Sequence, residues 1–480
     1  MSRPIRRVAA LMLVLLLALL VNVTVIQTLL ADDYRTRDGN QRLLLEEYSR
    51  ERGPILVAAD PVARSVPTDD SLRYLRRYDK GPEYASATGY YSLVYGPTGL
   101  ERTENAILSG TDDRLFVDRL QQLFAGQEPR GGAVTTTLQA RAQAAAWEGL
   151  QGVNGAVAAI EPTTGRILAL VQSPSFDPNR LSSHDPADIR TYYDQLTRDP
   201  DKPLLNRPLV MLQPPGSTFK LVTAAAALAS GRFTPDSVLP GPASYQLPGS
   251  TKELKNWSGT ACGPDGQVTL REALAVSCNT AFAWLGNELG ADALRDQAEA
   301  FGFDTNFEVP LRAAASRFPE DPDDAQTAMS AIGQFDVRAT ALQMAMVAAA
   351  AGNNGTTMSP YLVNEVRAPD LSILETATPQ KFDQAMTPVN AAQLVDMMVT
   401  VVDRGTGTNA QIPGVRVGGK TGTAQTGNDR PAVAWFVGLA PAEAPEVAVA
   451  VMVEDAGVPE VSGNQLAAPI ARAVMEAVLR

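Results

Sequence analysis

A single apolar run near the amino terminus sets the first constraint on this chain. From Val8 to Leu30, 23 residues are interrupted only by Asn22, Thr24, Gln27 and Thr28. About 20 apolar residues in helical form cross the hydrocarbon core of a bilayer. A lone segment there must satisfy its backbone internally, so a helix is the form open to it. The run is longer than the apolar core of a secretory signal, and Leu29 stands where a cleavage site needs a small residue. An uncleaved anchor over residues 8–31 is therefore expected. Arg3, Arg6 and Arg7 precede it, and Asp32 and Asp33 follow. That pattern places residues 1–7 in the cytoplasm and everything from Asp32 onward outside it.

Charge and residue counts exclude several functions. With a formal charge of −12, the chain has no basic face in bulk, and nucleic acid is not an expected partner. His184 is the only histidine, within the polar, loop-like LSSHDPAD. One histidine and two cysteines are too few for a His-dependent triad or a Cys/His metal centre. No cofactor or metal is expected. A hydrolase or transferase built on this chain would need another general base, and lysine is the next candidate. Cys262 and Cys278 both fall in the external part, where thiols can oxidise. Paired, they would close a loop of about 15 residues and constrain the unfolded chain by roughly 3 kcal/mol. Two buried free thiols are the alternative.

Two regions follow the anchor. Residues 32–150 are rich in Arg, Tyr and charged side chains, with few long apolar runs. Gln41–Arg52, Leu115–Phe124 and Leu138–Leu150 read as helices, and RGPILVA at 52–58 as a short strand. No catalytic spacing stands out there, so a non-catalytic pedestal is expected. Beyond Gly155, AVAAIEP and ILALVQSP form two apolar strands joined by Thr163–Arg166, a hairpin signal. A polar loop stretch over 173–210 and a series of Ala-rich helices reach about residue 400. Three late strands are carried by VRVGGKTGTA, AVAWFVGLA and EVAVAVMV, and Asn464–Leu479 closes the chain at helical spacing. The prediction for 151–480 is an α+β domain, a five-stranded antiparallel sheet flanked by helices.

Three small polar clusters stand out in that domain. At Leu212–Ser230, LQPPGSTFKLVTAAAALAS, the Pro-Pro-Gly break precedes an abrupt Ala/Leu run, so Ser217 begins a buried helix. Lys220 lies one turn on, on the same helix face and among apolar neighbours. Alone, the pair reads as a helix cap and a solvated charge. Ser277-Cys278-Asn279 precedes the apolar AFAWLGNEL and alone reads as another cap. Lys420-Thr421-Gly422-Thr423 has a sharper competitor, because Gly414 to Thr421 matches the phosphate-loop pattern G-x-x-x-x-G-K-T. A phosphate loop must follow a buried strand and open a helix. Neither Asn409–Gly414 nor TGTAQTGNDRP suits those parts, and the nucleotide reading is set aside.

In this order, S-x-x-K, S-x-N and K-T-G resemble the signature of penicillin-binding proteins and serine β-lactamases. The similarity continues through AIEPTTGRILALVQSPSFDPN, NRPLVMLQPPGSTFK, SAIGQFDVRATALQMA, GTGTNAQIPGVRVGGKTGTAQ and AWFVGLAP. The anchor, RGPI and GLERTENAILSG resemble the amino-terminal part of monofunctional class B members, of the actinobacterial penicillin-binding protein A type. The resemblance implies the serine β-lactamase/D,D-peptidase fold. It implies a D,D-transpeptidase acting on D-Ala-D-Ala stem peptides of peptidoglycan and acylated by β-lactams. Ser217 would be the nucleophile and Lys220 its base, neutral only if desolvated. Ser277 would relay a proton to the departing D-Ala, and Asn279 would hold the substrate amide. Lys420, Thr421 and Thr423 would meet the terminal carboxylate. The N–H groups of Ser217 and Thr423 would form an oxyanion hole. A side chain at Gly422 would obstruct substrate along the strand.

One departure from the family pattern is Cys278, where many β-lactamases carry Asp. A bridge to Cys262 would then sit at the rim of the site. A D,D-carboxypeptidase or a β-lactamase would share the acylation step, but no E-x-x-L-N follows Ser277. A non-enzymatic β-lactam sensor would need more than the seven residues expected in the cytoplasm. Glycan strands would come from a separate membrane polymerase, and a SEDS-type protein is the expected partner.

Overall fold

The computed structural model describes residues 3–28, 48–116, 130–425, 432–455 and 461–480, together with residues 119, 122, 124 and 126. Helix α1 (Arg3–Thr28) contains an 18-residue stretch of mean hydropathy 2.8, none of its residues is buried among the described residues, and it is long and apolar enough to cross a membrane. It starts earlier than the apolar run, so Arg3, Arg6 and Arg7 ride on its first turns. Thr24 and Thr28 donate to the carbonyls of Leu20 and Thr24, hiding their hydroxyls within the helix. The far end of the expected anchor, most of Gln41–Arg52 and much of Leu115–Phe124 lie outside the described residues.

The amino-terminal module is built on β1 (Ile55–Val57), β2 (Asp60–Pro67), β3 (Tyr74–Tyr78) and β4 (Ala133–Thr136). Beneath them lies a charge network buried from water. Glu101 is 0 % exposed and accepts from Arg52 Nε and Arg76 Nε, each at 2.6 Å, and from the Tyr78 hydroxyl at 3.1 Å. Burial opposes the charge on Glu101, but Arg76 and Arg52 outweigh it and hold the carboxyl below its usual range.

The second region runs from α2 (Ala140–Gly149) through the hairpin β5 (Asn154–Ile160) and β6 (Ile167–Ser173) to α3 (Lys220–Ala229), α4 (Asn279–Leu289) and α5 (Ala341–Gly352). After β7 (Val363–Arg367) and β8 (Ile373–Thr376) come α6 (Pro388–Arg404), β9 (Gly418–Ala424), β10 (Val433–Ala440), β11 (Val447–Asp455) and α7 (Ala468–Leu479). The five-stranded sheet has the order β9-β10-β11-β5-β6, with all its pairs antiparallel. Alternate residues explain its two faces. Val447, Val449, Val451 and Val453 meet the core that includes α2 and α7, while Ala448, Ala450 and Met452 meet the core that includes α3 and α5. A central strand covered on both sides needs apolar residues throughout, which is why EVAVAVMV reads without alternation.

Two features were not in the sequence reading. First, the sheet of the module is completed from beyond the boundary expected at residue 150. Strands β7 and β8, from far along the chain, complete a six-stranded sheet of order β8-β7-β4-β1-β2-β3, in which β7 pairs antiparallel with β4. Only β1 and β4 run parallel. The Thr137 N–H donates to Leu362 O at 2.8 Å, and the Thr137 hydroxyl to Ile167 O at 2.7 Å, tying the two sheets together at that corner. Second, the stretch expected as loop over 173–210 contains a helix at Pro186–Arg198. Asp185 caps it by accepting from Ala187 and Asp188, and only Ile189 and Leu196 are buried. Two apolar anchors in thirteen residues leave little periodicity to read.

Candidate active site

The Pro-Pro-Gly break becomes a tight turn. Gly216 has φ +53° and donates its N–H to Gly333 O at 2.9 Å. Trp435 Nε1 on β10 donates to Pro214 O at 3.0 Å, and the Thr218 hydroxyl to Pro215 O at 2.7 Å. Residues Gly216–Phe219 form one 3₁₀ turn that runs into α3. Phe219 anchors its inner side, with its ring edge-on to Phe303 and stacked on Phe318. Ser217 is left half-buried in that turn, which packs against β9.

Lys220 is 0 % exposed. Its Nζ donates to Ser277 O at 2.8 Å, Asn279 Oδ1 at 2.8 Å and Ser277 Oγ at 3.2 Å. Among the described residues no hydrogen bond joins Lys220 to Ser217. Burial, and next the charge of Lys420, push the Lys220 amine well below its ordinary value. Lys420 is also 0 % exposed, and burial lowers it to about 7. Its Nζ donates to Ser277 Oγ at 2.9 Å and to Thr421 O at 2.8 Å. The Ser277 hydroxyl thus lies between two amines, and neither amine has a carboxylate among its described partners.

Ser277 sits at φ +59°, a conformation a non-glycine residue adopts only when its surroundings hold it there. Its N–H donates to Leu274 O, and the next N–H, of Cys278, to Ala273 O. Cys278 is bonded to Cys262, with the Cα atoms 6.0 Å apart. Asn279 is engaged at both ends, because its Nδ2 donates to Lys255 O at 3.1 Å while Oδ1 faces Lys220. The buried Asn256 escaped the sequence reading. Its amide donates to Pro242 O and Thr260 O and accepts from the Thr280 N–H, clasping the Cys262 loop to the start of α4. A lone Asn in NWSG carries no spacing that would have marked it.

Strand β9 is the edge of its sheet, and its pleat separates the third cluster. Gly422 faces the turn that carries Ser217, and Lys420, two residues earlier, lies on the same face of the strand. A Cβ built on Gly422 would lie 2.9 Å from Pro215 O, 3.0 Å from Thr218 Cγ2 and 3.1 Å from Trp435 Cβ. The turn packed against the strand is therefore a second reason for a glycine here, beside the obstruction of substrate expected from the sequence. Thr421 lies on the other face, 8 % exposed, with its hydroxyl 2.7 Å from that of Thr406. The Lys420 amine thus lies in the interior, hydrogen-bonded to Ser277 Oγ and to the Thr421 carbonyl, on the face opposite the Thr421 side chain. Thr423 O lies beside Gly216, 3.1 Å from where a Cβ would stand there. In a strand the N–H of a residue points the same way as its C=O, so the Thr423 N–H faces the turn that carries Ser217. The strand continues through Lys420 to Ala424, leaving no helix start where a phosphate loop needs one.

Comparison with known proteins places these features in context. Residues 155–476 match the penicillin binding protein transpeptidase domain, and residues 52–134 the penicillin binding protein A dimerisation domain. The chain is 47% identical over 490 residues to the peptidoglycan D,D-transpeptidase PbpA of Mycolicibacterium smegmatis, covering 100% of this chain and 99% of that protein. It is 46% identical over 491 residues to the protein of the same name from Mycobacterium tuberculosis, with the same two coverages. The structure of penicillin-binding protein A from M. tuberculosis as a ceftriaxone acyl-enzyme superposes with a TM-score of 0.89 at 47% identity, covering 91% of this chain and 100% of that one.

Proposed function

Because the chain belongs to the penicillin-binding protein transpeptidase family, and is a class B peptidoglycan D,D-transpeptidase of the PbpA type, we propose how its own residues perform the acyl transfer. The observation that carries the reading is the pair of buried lysines on either side of Ser277, with no carboxylate among their described partners to fix their charge. Desolvation drives an amine towards its neutral form, in which it can accept a proton. Neutral Lys220 has two N–H groups. Ser277 O and Asn279 Oδ1, both acceptors only and both at 2.8 Å, take them, and the longer 3.2 Å contact with Ser277 Oγ, donated by the amine only in its ammonium form, leaves the lone pair for a hydroxyl.

Ser217 Oγ attacks the carbonyl carbon of the penultimate D-Ala as its proton passes to Lys220 Nζ. The oxyanion is met by the N–H groups of Ser217 and Thr423, and loss of one such donor costs about 10²–10³ in rate. The proton then reaches the departing D-Ala nitrogen through Ser277, whose hydroxyl Lys420 orients. An amine from a neighbouring stem peptide resolves the acyl-enzyme and forms the cross-link. A β-lactam enters by the same attack and leaves Ser217 acylated. Asn279 holds Lys220 in the empty site and receives the substrate amide in the filled one. The hydroxyls of Thr421 and Thr423 receive the terminal carboxylate.

The protein is membrane-anchored, and we assign residues 1–7 to the cytoplasm and the catalytic domain to the outside. The arginines on the first turns of α1 support that orientation. The 32–150 module, completed by β7 and β8, serves as the pedestal. A SEDS-type membrane polymerase supplies the glycan strands. Labelling with a fluorescent penicillin tests the nucleophile. Strong labelling of the wild type and none of Ser217→Ala is expected, whereas undiminished labelling of the variant contradicts the assignment.

A further inference from the structure

We propose that Thr406, outside all three motifs, is a positioning residue for recognition of the substrate's terminal carboxylate. The inference rests on the reading of Thr421 given above. With the Lys420 amine buried between Ser277 Oγ and Thr421 O, it is committed to the interior. A carboxylate arriving at the outer side of β9 must find its donors elsewhere. The Thr421 hydroxyl is one, but it has a single proton, and the Thr406 hydroxyl lies 2.7 Å from it. In such a pair one hydroxyl donates and the other accepts. When Thr406 donates to Thr421 Oγ1, the Thr421 proton is turned outward to the carboxylate. Were the order reversed, Thr421 would offer that carboxylate only lone pairs.

The position of Thr406 is fixed from both sides of the cleft. Its N–H donates to Ala275 O at 3.0 Å, two residues before Ser277. The preceding Gly405 has no room for a side chain, since a Cβ there would lie 2.4 Å from the same Ala275 oxygen. The following Gly407 donates its N–H to Val401 O at 3.0 Å. Thr406 is thus a peg between the Ser277 segment and β9, half-exposed at the end where Thr421 is nearly buried. A hydroxyl wanted only for packing could be replaced by a methyl of the same shape. One that sets a proton's direction could not.

The test uses the full chain in detergent and compares acylation by benzylpenicillin with acylation by its methyl ester, in which the carboxylate is masked. The wild type is expected to prefer the free acid. Thr406→Val, which keeps the branched shape, should lose about tenfold of that preference through the binding step, with an unchanged melting temperature. Thr406→Ser should restore it. Thr421→Val should also lose the preference, and Ser217→Ala should not be acylated at all. If Thr406→Val keeps the wild-type preference while Thr421→Val loses it, the role of Thr406 is wrong and the carboxylate reading stands. If Thr421→Val keeps it as well, both are wrong. An equal fall for acid and ester in Thr406→Val would mark the hydroxyl as structural and overturn the proposal.

Discussion

Among the described residues two buried charge clusters stand out, and they are built on opposite principles. In the amino-terminal module Glu101 lies between Arg52 and Arg76, and each cation meets the carboxylate at 2.6 Å. In the catalytic domain Lys220 and Lys420 flank Ser277, and no anion accompanies them among the described residues. The first cluster satisfies its charges, and Glu101 is held below its usual range while Arg52 is held above its own. The second leaves its charges uncompensated, and burial moves both amines down towards neutrality. Compensated burial makes a fixed support. Uncompensated burial makes a base, because a group that pays the desolvation cost of its charge gives up that charge near pH 7.

Breaking each cluster should therefore have opposite signatures. Lys220→Met is expected to slow penicillin acylation by about 10³-fold, within the range for loss of a general base. It strands no buried charge, so its melting temperature should fall less than that of the support mutant. Stopped-flow acylation and calorimetry on one preparation would separate the two effects. Glu101→Gln leaves two buried guanidinium groups without their carboxylate and should cost about 3–5 kcal/mol of stability. The acylation rate of the protein that remains folded should be unchanged. A large loss of rate at full stability in Glu101→Gln would erase the distinction between the clusters.

Smaller changes sharpen it. The charge of Lys420 helps depress Lys220, so Lys420→Gln should let the Lys220 value rise. The acid limb of the acylation profile would then move to higher pH, whatever happens to the plateau. A limb that moves to lower pH would contradict the coupling. Gly422→Ala forces a Cβ against Pro215 O and Thr218. Overpacking of this kind costs about 1–3 kcal/mol, and it should appear first as slower acylation because the turn bearing Ser217 has to shift. Unchanged acylation by Gly422→Ala would show that the turn does not lean on β9.

How much of this could be read from the chain differs between the same two regions. The catalytic strands were visible because each is a short apolar run bounded by Gly or Pro, and ILALVQSP and AWFVGLAP carry their burial in their own letters. Ser217, Lys220, Ser277, Asn279, Lys420 and Thr423 were legible as three short clusters in order, and hydrogen bonds through Ser277 join Lys220 to Lys420 in the fold. What could not be read was non-local. Nothing within Val363–Thr376 announces that β7 will pair with Ala133–Thr136, because register between distant strands leaves no local trace. Thr406 and Asn256 act through single hydrogen bonds to residues far away in sequence. The inward turn of Lys420 depends on strand parity against a turn that only the fold brings near. The disulfide stood open in the sequence between bridge and free thiols, and the structure closes it at the residue between Ser277 and Asn279.

The central claim is that a lysine without a buried counter-charge serves Ser217 as a neutral base. The pH dependence of the second-order rate of acylation by penicillin tests it most directly. The account predicts that the rate has already reached its plateau near neutral pH, far below the ordinary lysine value of about 10.4. A rate that climbs about tenfold per pH unit until it approaches that value would show Lys220 to be an ordinary ammonium and would contradict the account.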